Sequence, residues 1–334
     1  MKVVVRAPNW IGDSILALPA IHSLKEGHPD AEIWIAAKGW VKDLFVAIPI
    51  VSGVLTLPEH VTPKSLQASA RELRAQGFDA GLLLTNSFAS AYHFWLARIP
   101  QRWGYKKDGR QLLLTKGVKR PAPYEAIHQV DYYLRLVAGL GIQPREPHLT
   151  LPLTQEESQG AESLLAACSL DRTKPLVVLN PGGYFGSAKR WPPHRYAEAA
   201  SLFQQKWGAE ILIIGSSREK PLADTISQGL EKRACVLTGK TTLRQLAAVL
   251  SLADLCVTND SGPMHMANAL GIPTVAVFGP TDPEATRPFQ PPSVFIQKKV
   301  PCWPCAYRDC PFDHRCMLNI SAEEVFEQGQ GLLA

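Results

Sequence analysis

Short apolar runs that end in a turn and lead into a helical stretch recur along the whole chain, and no other feature narrows its possible folds as far. In the first half they lie at residues 3–5, 32–36, 53–57 and 80–84; in the second, at 176–179, 211–214, 234–237, 252–257 and 274–278. Such runs, separated by helical stretches such as 64–76 and 193–206, are the sequence signature of parallel strands joined by crossover helices. The chain therefore reads as α/β. A tract holding Pro144, Pro147 and Pro152 divides the two series, giving domains at about 1–150 and 151–320. With 334 residues, 46% apolar and 19% charged, each half can bury its own core. The net charge of +5 suits anionic ligands or an anionic membrane surface, but over this length it falls short of a nucleic-acid binder. The opening residues form a strand, without a signal-peptide pattern or a span of roughly 18 apolar residues. A cytoplasmic location with reduced cysteines is the expectation that follows.

The octet Thr258-Asn259-Asp260-Ser261-Gly262-Pro263-Met264-His265 stands where one of these strands gives way to a helix. Asp260 and Ser261 are suited to cap that helix, Gly262 admits a ligand close to the backbone, and Pro263 fits a first turn that needs no N–H from it. A helix start of this kind attracts phosphate. The same junction recurs near the beginning of the chain, where Asp13 falls at a strand's carboxyl end, the side on which open α/β sheets bind ligands. Asp13 there is either an active-site carboxylate or the N-cap of its helix. After the 176–179 strand, a Gly/Ser loop at 180–188 precedes Lys189 and Arg190, an arrangement that can wrap an anion with Lys189 as a point charge. Glu219 ends a further strand where a carboxylate can accept from ribose hydroxyls. The stretch 238–242 fails the phosphate-loop pattern, because Ala234 stands where that pattern needs Gly; it reads as a turn with Thr241 toward a nucleotide.

Two further segments stand out. Residues 87–120 combine Phe88, Tyr92, Trp95, Trp103 and Tyr105 with Arg98, Arg102, Lys106, Lys107, Arg110, Lys116, Lys119 and Arg120. The cations can pair with phosphate while the aromatics stack on sugars or sit at a membrane interface; a solvated basic face beside core aromatics would read the same way. Residues 302–316 hold Cys302, Cys305, Cys310 and Cys316 around His314. That is enough thiol and imidazole for a structural zinc or iron–sulfur site, and it equally describes a compact loop with free thiols. Cys168, Cys235 and Cys256, in apolar or helical contexts, read as ordinary core residues.

Taken together, Asn9-Trp10-Ile11-Gly12-Asp13-Ser14, Asn180-Pro181-Gly182 with Lys189-Arg190-Trp191-Pro192, the 259–265 stretch with Phe278-Gly279-Pro280-Thr281, and the 302–316 cluster resemble the ADP-heptose:lipopolysaccharide heptosyltransferases of glycosyltransferase family 9. The opening and the cluster look more like the heptosyltransferase II branch than heptosyltransferase I. This resemblance implies a GT-B fold, two Rossmann-like domains facing across a cleft, with the final helix at 321–333 packing back on the first. It implies inverting transfer of L-glycero-D-manno-heptose from ADP-heptose to the first heptose of a heptosyl-Kdo2-lipid A type acceptor. Asp13 matches the family's base, and Lys189 the cation facing the departing diphosphate. Ser187, Glu219, Thr241, Asp260, Ser261, Gly262 and His265 fall on the donor side; Asn9, Trp10, Arg98 and Arg120 fall on the acceptor side. The lipid anchor of the acceptor implies peripheral attachment to the cytoplasmic face of the inner membrane. With no Asp-x-Asp motif, no cofactor is expected beyond a structural metal at the Cys cluster. A transferase using another nucleotide sugar, and a non-catalytic nucleotide-sugar-binding protein, are the rival readings.

Overall fold

Every apolar run becomes a strand, and every ladder between strands is parallel. The computed structural model describes residues 1–305 and 307–333, without the side chain of Glu125. The first unit, Met1–Pro152, holds β1 Lys2–Arg6, β2 Glu32–Lys38, β3 Val51–Leu57, β4 Ala80–Leu83, β5 Gln101–Lys106 and β6 Lys116–Lys119, in the sheet order β3-β2-β1-β4-β5-β6. The second unit, Leu153–Ala334, holds β7 Leu176–Asn180, β8 Glu210–Ile213, β9 Cys235–Val236, β10 Leu255–Asn259, β11 Thr274–Phe278 and β12 Ser293–Gln297, in the order β12-β11-β10-β7-β8-β9. Counted from its own first strand, each sheet therefore runs 3-2-1-4-5-6, the order of a Rossmann-type domain. In such a sheet the chain leaves its first and fourth strands toward opposite sides, so a crevice opens at their carboxyl ends. Those ends belong to β1 and β4 in one unit and to β7 and β10 in the other.

The central strands are buried along their full length, which is why they read as unbroken apolar runs. Strands β5 and β6 carry no such run, and the short Val294-Phe295-Ile296 run of β12 escapes sequence reasoning with them. In β5 Trp103, Gly104 and Tyr105 are buried in succession between exposed Gln101 and Lys106. The strand expected at 252–257 begins only at Leu255, because helix Leu243–Leu250 closes in a turn over 251–254.

The last helix, Ala322–Leu333, lies on helix Pro193–Trp207 and against β10, β11 and β12 within the second unit. Its apolar face decides this. The Phe326 ring stands 5.2 Å from Phe203 and 5.4 Å from Trp207, and a Cβ on Gly329 would come within 2.8 Å of Leu255. Cys168 and Cys235 are not separate core thiols but form a disulfide across a Cα–Cα distance of 5.6 Å. Sixty-seven residues separate them, a spacing without a local signature, and the fold brings the residues after helix Gln155–Ala166 alongside β9. Cys256 is a buried thiol as expected, pushed up to about 12 by desolvation. Among the described residues no helix is long and apolar enough to cross a membrane.

Replacing Phe326 with Ala should destabilise the second unit by about 3–5 kcal/mol, the usual cost of emptying a buried aromatic site. Urea unfolding followed in that unit measures the loss; an unchanged midpoint would show that the helix is not part of its core.

Candidate active site

At the switch point of the second sheet, β7 and β10 end side by side on Asn180 and Asn259, both buried. The Asn259 amide makes four hydrogen bonds. Its oxygen accepts from the Trp191 backbone N–H and the Tyr196 hydroxyl, each at 3.0 Å. Its nitrogen donates to the carbonyls of Pro181 and Gly182, at 2.8 and 3.0 Å. Two donors on one side and two acceptors on the other leave a single workable orientation of the amide. Burial raises the Tyr196 phenol far above its usual range and keeps it a donor. Asn180 donates to the hydroxyls of Thr258 and Ser261, at 2.8 and 2.7 Å. The loop 181–191 and the start of helix Gly262–Ala269 are thereby fixed to the same two strand ends.

Ser261 occupies the N-cap of that helix but makes no side-chain cap bond, its hydroxyl being drawn to Asn180. The capping role expected of Asp260 is likewise replaced: its carboxylate pairs with the Lys189 ammonium and accepts from the Thr281 hydroxyl at 2.8 Å. Lys189 also lies 5.0 Å above the Phe185 ring. An ammonium has three donors, so the pair with Asp260 leaves capacity for an anion beside the helix start. His265 is buried one turn further into the helix.

The remaining donor-side residues divide. Thr241, half buried, stands in the loop that leaves β9 just before helix Leu243–Leu250. Glu219 is committed to the protein: one oxygen accepts from the Gly183 N–H at 2.9 Å, and the other from the N–H and hydroxyl of Ser216 at 2.7 and 2.8 Å. Its carboxylate lies so close over Gly182 that any side chain there would collide with it. Ser187 points to Asp309, donating to it at 2.6 Å.

In the first unit, Asp13 lies in the first turn of helix Ile11–Leu16, whose N-cap is Trp10. The cap reading of Asp13 is thus replaced by one in which its carboxylate stands by the positive end of the helix. The nearby Tyr133 phenol is raised first by burial and then by the negative charge of Asp13. Asn9 accepts from Arg6 at 2.6 Å through its side chain and from the Trp40 indole at 2.7 Å through its backbone, while Trp10 is 51% exposed. Arg120 stacks on Tyr124, 3.2 Å from the ring centroid, and donates to Tyr132 at 3.1 Å; Arg98 is exposed, in a left-handed conformation at φ 58°.

Sequence reasoning missed a buried basic group at the same edge. Arg6 ends β1, Lys38 ends β2, and His93 joins them from helix Phe88–Leu96. Desolvation, then the charges of Arg6 and Lys38, bring the His93 imidazole down to about 4, so it is neutral at pH 7. Burial also lowers Arg6 to about 10. Asn180, Asn259 and Thr281, present in the motifs, are given no role of their own by the sequence. The signal for the two asparagines is a polar residue closing an apolar run, and for Thr281 a hydroxyl residue directly after the Gly279-Pro280 turn.

Cys302, Cys305, Cys310 and Cys316 line one cavity of about 200 Å³ with His314 and Ala188. Among the described residues, no group of three or more His, Cys, Asp or Glu side chains is arranged to hold a metal ion.

Residues 66–315 match the family model described as glycosyltransferase family 9 (heptosyltransferase). The chain belongs to that family. It is a glycosyltransferase with two Rossmann-like units of the GT-B type. It is 31% identical to the lipopolysaccharide heptosyltransferase 2 of Salmonella typhimurium, with 100% of this chain and 99% of the relative covered, and 31% identical to that of Escherichia coli over the same shares. Among solved structures it resembles the E. coli ADP-heptose lipopolysaccharide heptosyltransferase II, with a TM-score of 0.85, 27% identity and coverage of 100% and 98%. A family 9 transferase from Veillonella parvula shares its fold with a TM-score of 0.90 at 24% identity, covering 99% and 97%.

Changing Asn259 to Asp would set a carboxylate oxygen against the carbonyls of Pro181 and Gly182. The expected cost is on the order of 3 kcal/mol, since buried partners lose their donor and meet a like charge. Thermal unfolding checks it; a wild-type midpoint would remove Asn259 as the anchor of the loop.

Proposed function

We propose that this transferase moves L-glycero-D-manno-heptose from ADP-heptose to the first heptose of the lipopolysaccharide inner core, inverting the anomeric centre. The single observation that carries this reading is the Lys189–Asp260 pair beside the uncapped start of helix Gly262–Ala269, at the switch point of the second sheet. A site with an oriented ammonium and free helix N–H groups suits a diphosphate. Full-length likeness to lipopolysaccharide heptosyltransferase 2 of two organisms supports the sugar and the acceptor.

The chemistry needs two things. The acceptor hydroxyl must lose its proton as its oxygen attacks the anomeric carbon, and Asp13 accepts it. The bond from that carbon to the diphosphate must break, with charge growing on the leaving oxygen. Lys189 and the backbone N–H groups around Ser261 and Gly262 stabilise this charge, an effect worth about 3–4 kcal/mol where a single well-placed donor has been removed from other enzymes. Asp260 aims the ammonium; Glu219 holds the loop beneath it, and its Oε1, which takes only the Gly183 bond, has one acceptor site left for a ribose hydroxyl. The cations thus balance the leaving charge, and no cofactor is assigned a part.

The acceptor would reach the enzyme at the cytoplasmic surface of the inner membrane. Phe88, Tyr92 and Trp95 support this. They form a stacked stripe along helix Phe88–Leu96, 50%, 37% and 47% exposed. Leu112, 88% exposed, belongs to the turn packed against that helix, and Arg98, Lys106, Lys116 and Lys119 are exposed in the same segment. Aromatics rimmed by cations suit an anionic lipid interface.

Asp13→Asn should lower ADP release by roughly 10²–10⁴-fold while donor affinity, read by calorimetry, stays within about twofold. Unchanged turnover would return Asp13 to the role of a helix-terminal charge. In cosedimentation with vesicles containing anionic lipid, the Phe88→Ser/Trp95→Ser variant should lose most of its binding, and added salt should weaken what remains. Equal binding by variant and wild type would count against this face.

A further inference from the structure

The Cys-rich segment grips the turn that carries Lys189. The Ala188 N–H donates to the Arg308 carbonyl at 2.9 Å, and the Ala188 carbonyl is bonded at 2.9 Å by His314 Nε2, which must carry the proton because a carbonyl only accepts. Both backbone groups of the residue preceding Lys189 are therefore held by one segment. One residue earlier, the Ser187 hydroxyl donates to Asp309 at 2.6 Å, and that bond holds the Asp309 carboxyl below its usual range. Gly186 lies so near the Arg308 backbone that a side chain there would strike main-chain atoms, which have no room to yield. The Phe185 ring receives Lys189 at 5.0 Å and Arg308 at 5.7 Å. The segment is itself anchored to the other wall of the pocket. The Cys305 N–H donates to Pro280 at 3.1 Å and the Trp303 indole to Thr281 at 3.2 Å, and Thr281 is the residue that also bonds Asp260.

We propose that Asp309 and His314 are positioning residues that act through Lys189, so that the Cys-rich segment sets how tightly the donor diphosphate is held. This rests on the reading of Lys189 as the diphosphate's cation. A lysine head swings on a four-carbon stem, and its reach is defined only if its Cα is fixed. Asp260 and Phe185 place the head; Arg308, Asp309 and His314 place the root. Releasing the root lets the turn sample positions from which the ammonium misses the phosphate, and binding weakens by the fraction of time spent there.

The test is a set of calorimetric titrations with ADP, beside steady-state constants for donor and acceptor. Asp309→Ala and His314→Ala should each raise the ADP Kd and the donor KM about fivefold and leave the acceptor KM unchanged. Asp309→Asn, which keeps an acceptor oxygen, and His314→Gln, which keeps an N–H, should restore ADP affinity to within about twofold of wild type. Asp309 is exposed, so its variants should fold. Ser187→Ala removes the hydroxyl bond from the other end but keeps the Ser187 backbone bond to Asp309, and should raise the ADP Kd in the same direction by a smaller factor. In a Lys189→Met background Asp309→Ala should have no further effect. An equal effect of Asp309→Ala with and without Lys189, or none in either, would overturn the positioning role alone. If Lys189→Met itself left ADP affinity intact, the donor-site reading would fall and this inference with it.

Discussion

One buried amide ties the loop that carries Lys189 to the strand ends of the second unit. Asn259 stands at the end of β10, where a sheet runs out of ladder partners, and it supplies side-chain bonds where the backbone has none left to give. Through it the loop after β7, the tryptophan that follows Lys189 and the hydroxyl of Tyr196 share one anchor. Asn180 does the same for Thr258 and Ser261 from the neighbouring strand. A charged residue would be costly at either position and an apolar one would leave several groups unsatisfied, so amides are what the chemistry allows.

The two units show how one topology can serve two chemistries. Both sheets run 3-2-1-4-5-6 and both put their crevice at the same strand ends. In the second, that edge is built from amides, hydroxyls and an ion pair, the setting proposed for a diphosphate. In the first, it carries a carboxylate in a helix's first turn and a buried group of two cations with a neutral imidazole. Fold sets where a site lies, and side chains at strand ends set what it does.

Much of this was legible in the sequence, for identifiable reasons. Central strands buried on both faces declare themselves as apolar runs, so the α/β class, the two units and the turns holding Asp13, Lys189 and Asp260 could all be placed. Strands β5 and β6 could not, because Arg, Lys and Gly interrupt them, nor could edge strand β12, a three-residue apolar run that is mostly half-buried or exposed. The Cys168–Cys235 bond and the Ser187–Asp309 contact join residues 67 and 122 positions apart, and periodicity carries no information over such distances. Glu219 can be placed by position, but the bond from Gly183 to one of its oxygens comes from a loop 36 residues earlier, which no local pattern announces.

Trp191 extends that network to the far end of the chain. Its backbone N–H is held by Asn259, and its buried indole donates to the Ile320 carbonyl at 3.1 Å, two residues before the final helix begins. The segment leading into the last helix is thus masonry behind the loop that carries Lys189. Tags, truncations or fusions placed there would be edits to that loop's support, even though the sequence puts them more than a hundred positions away.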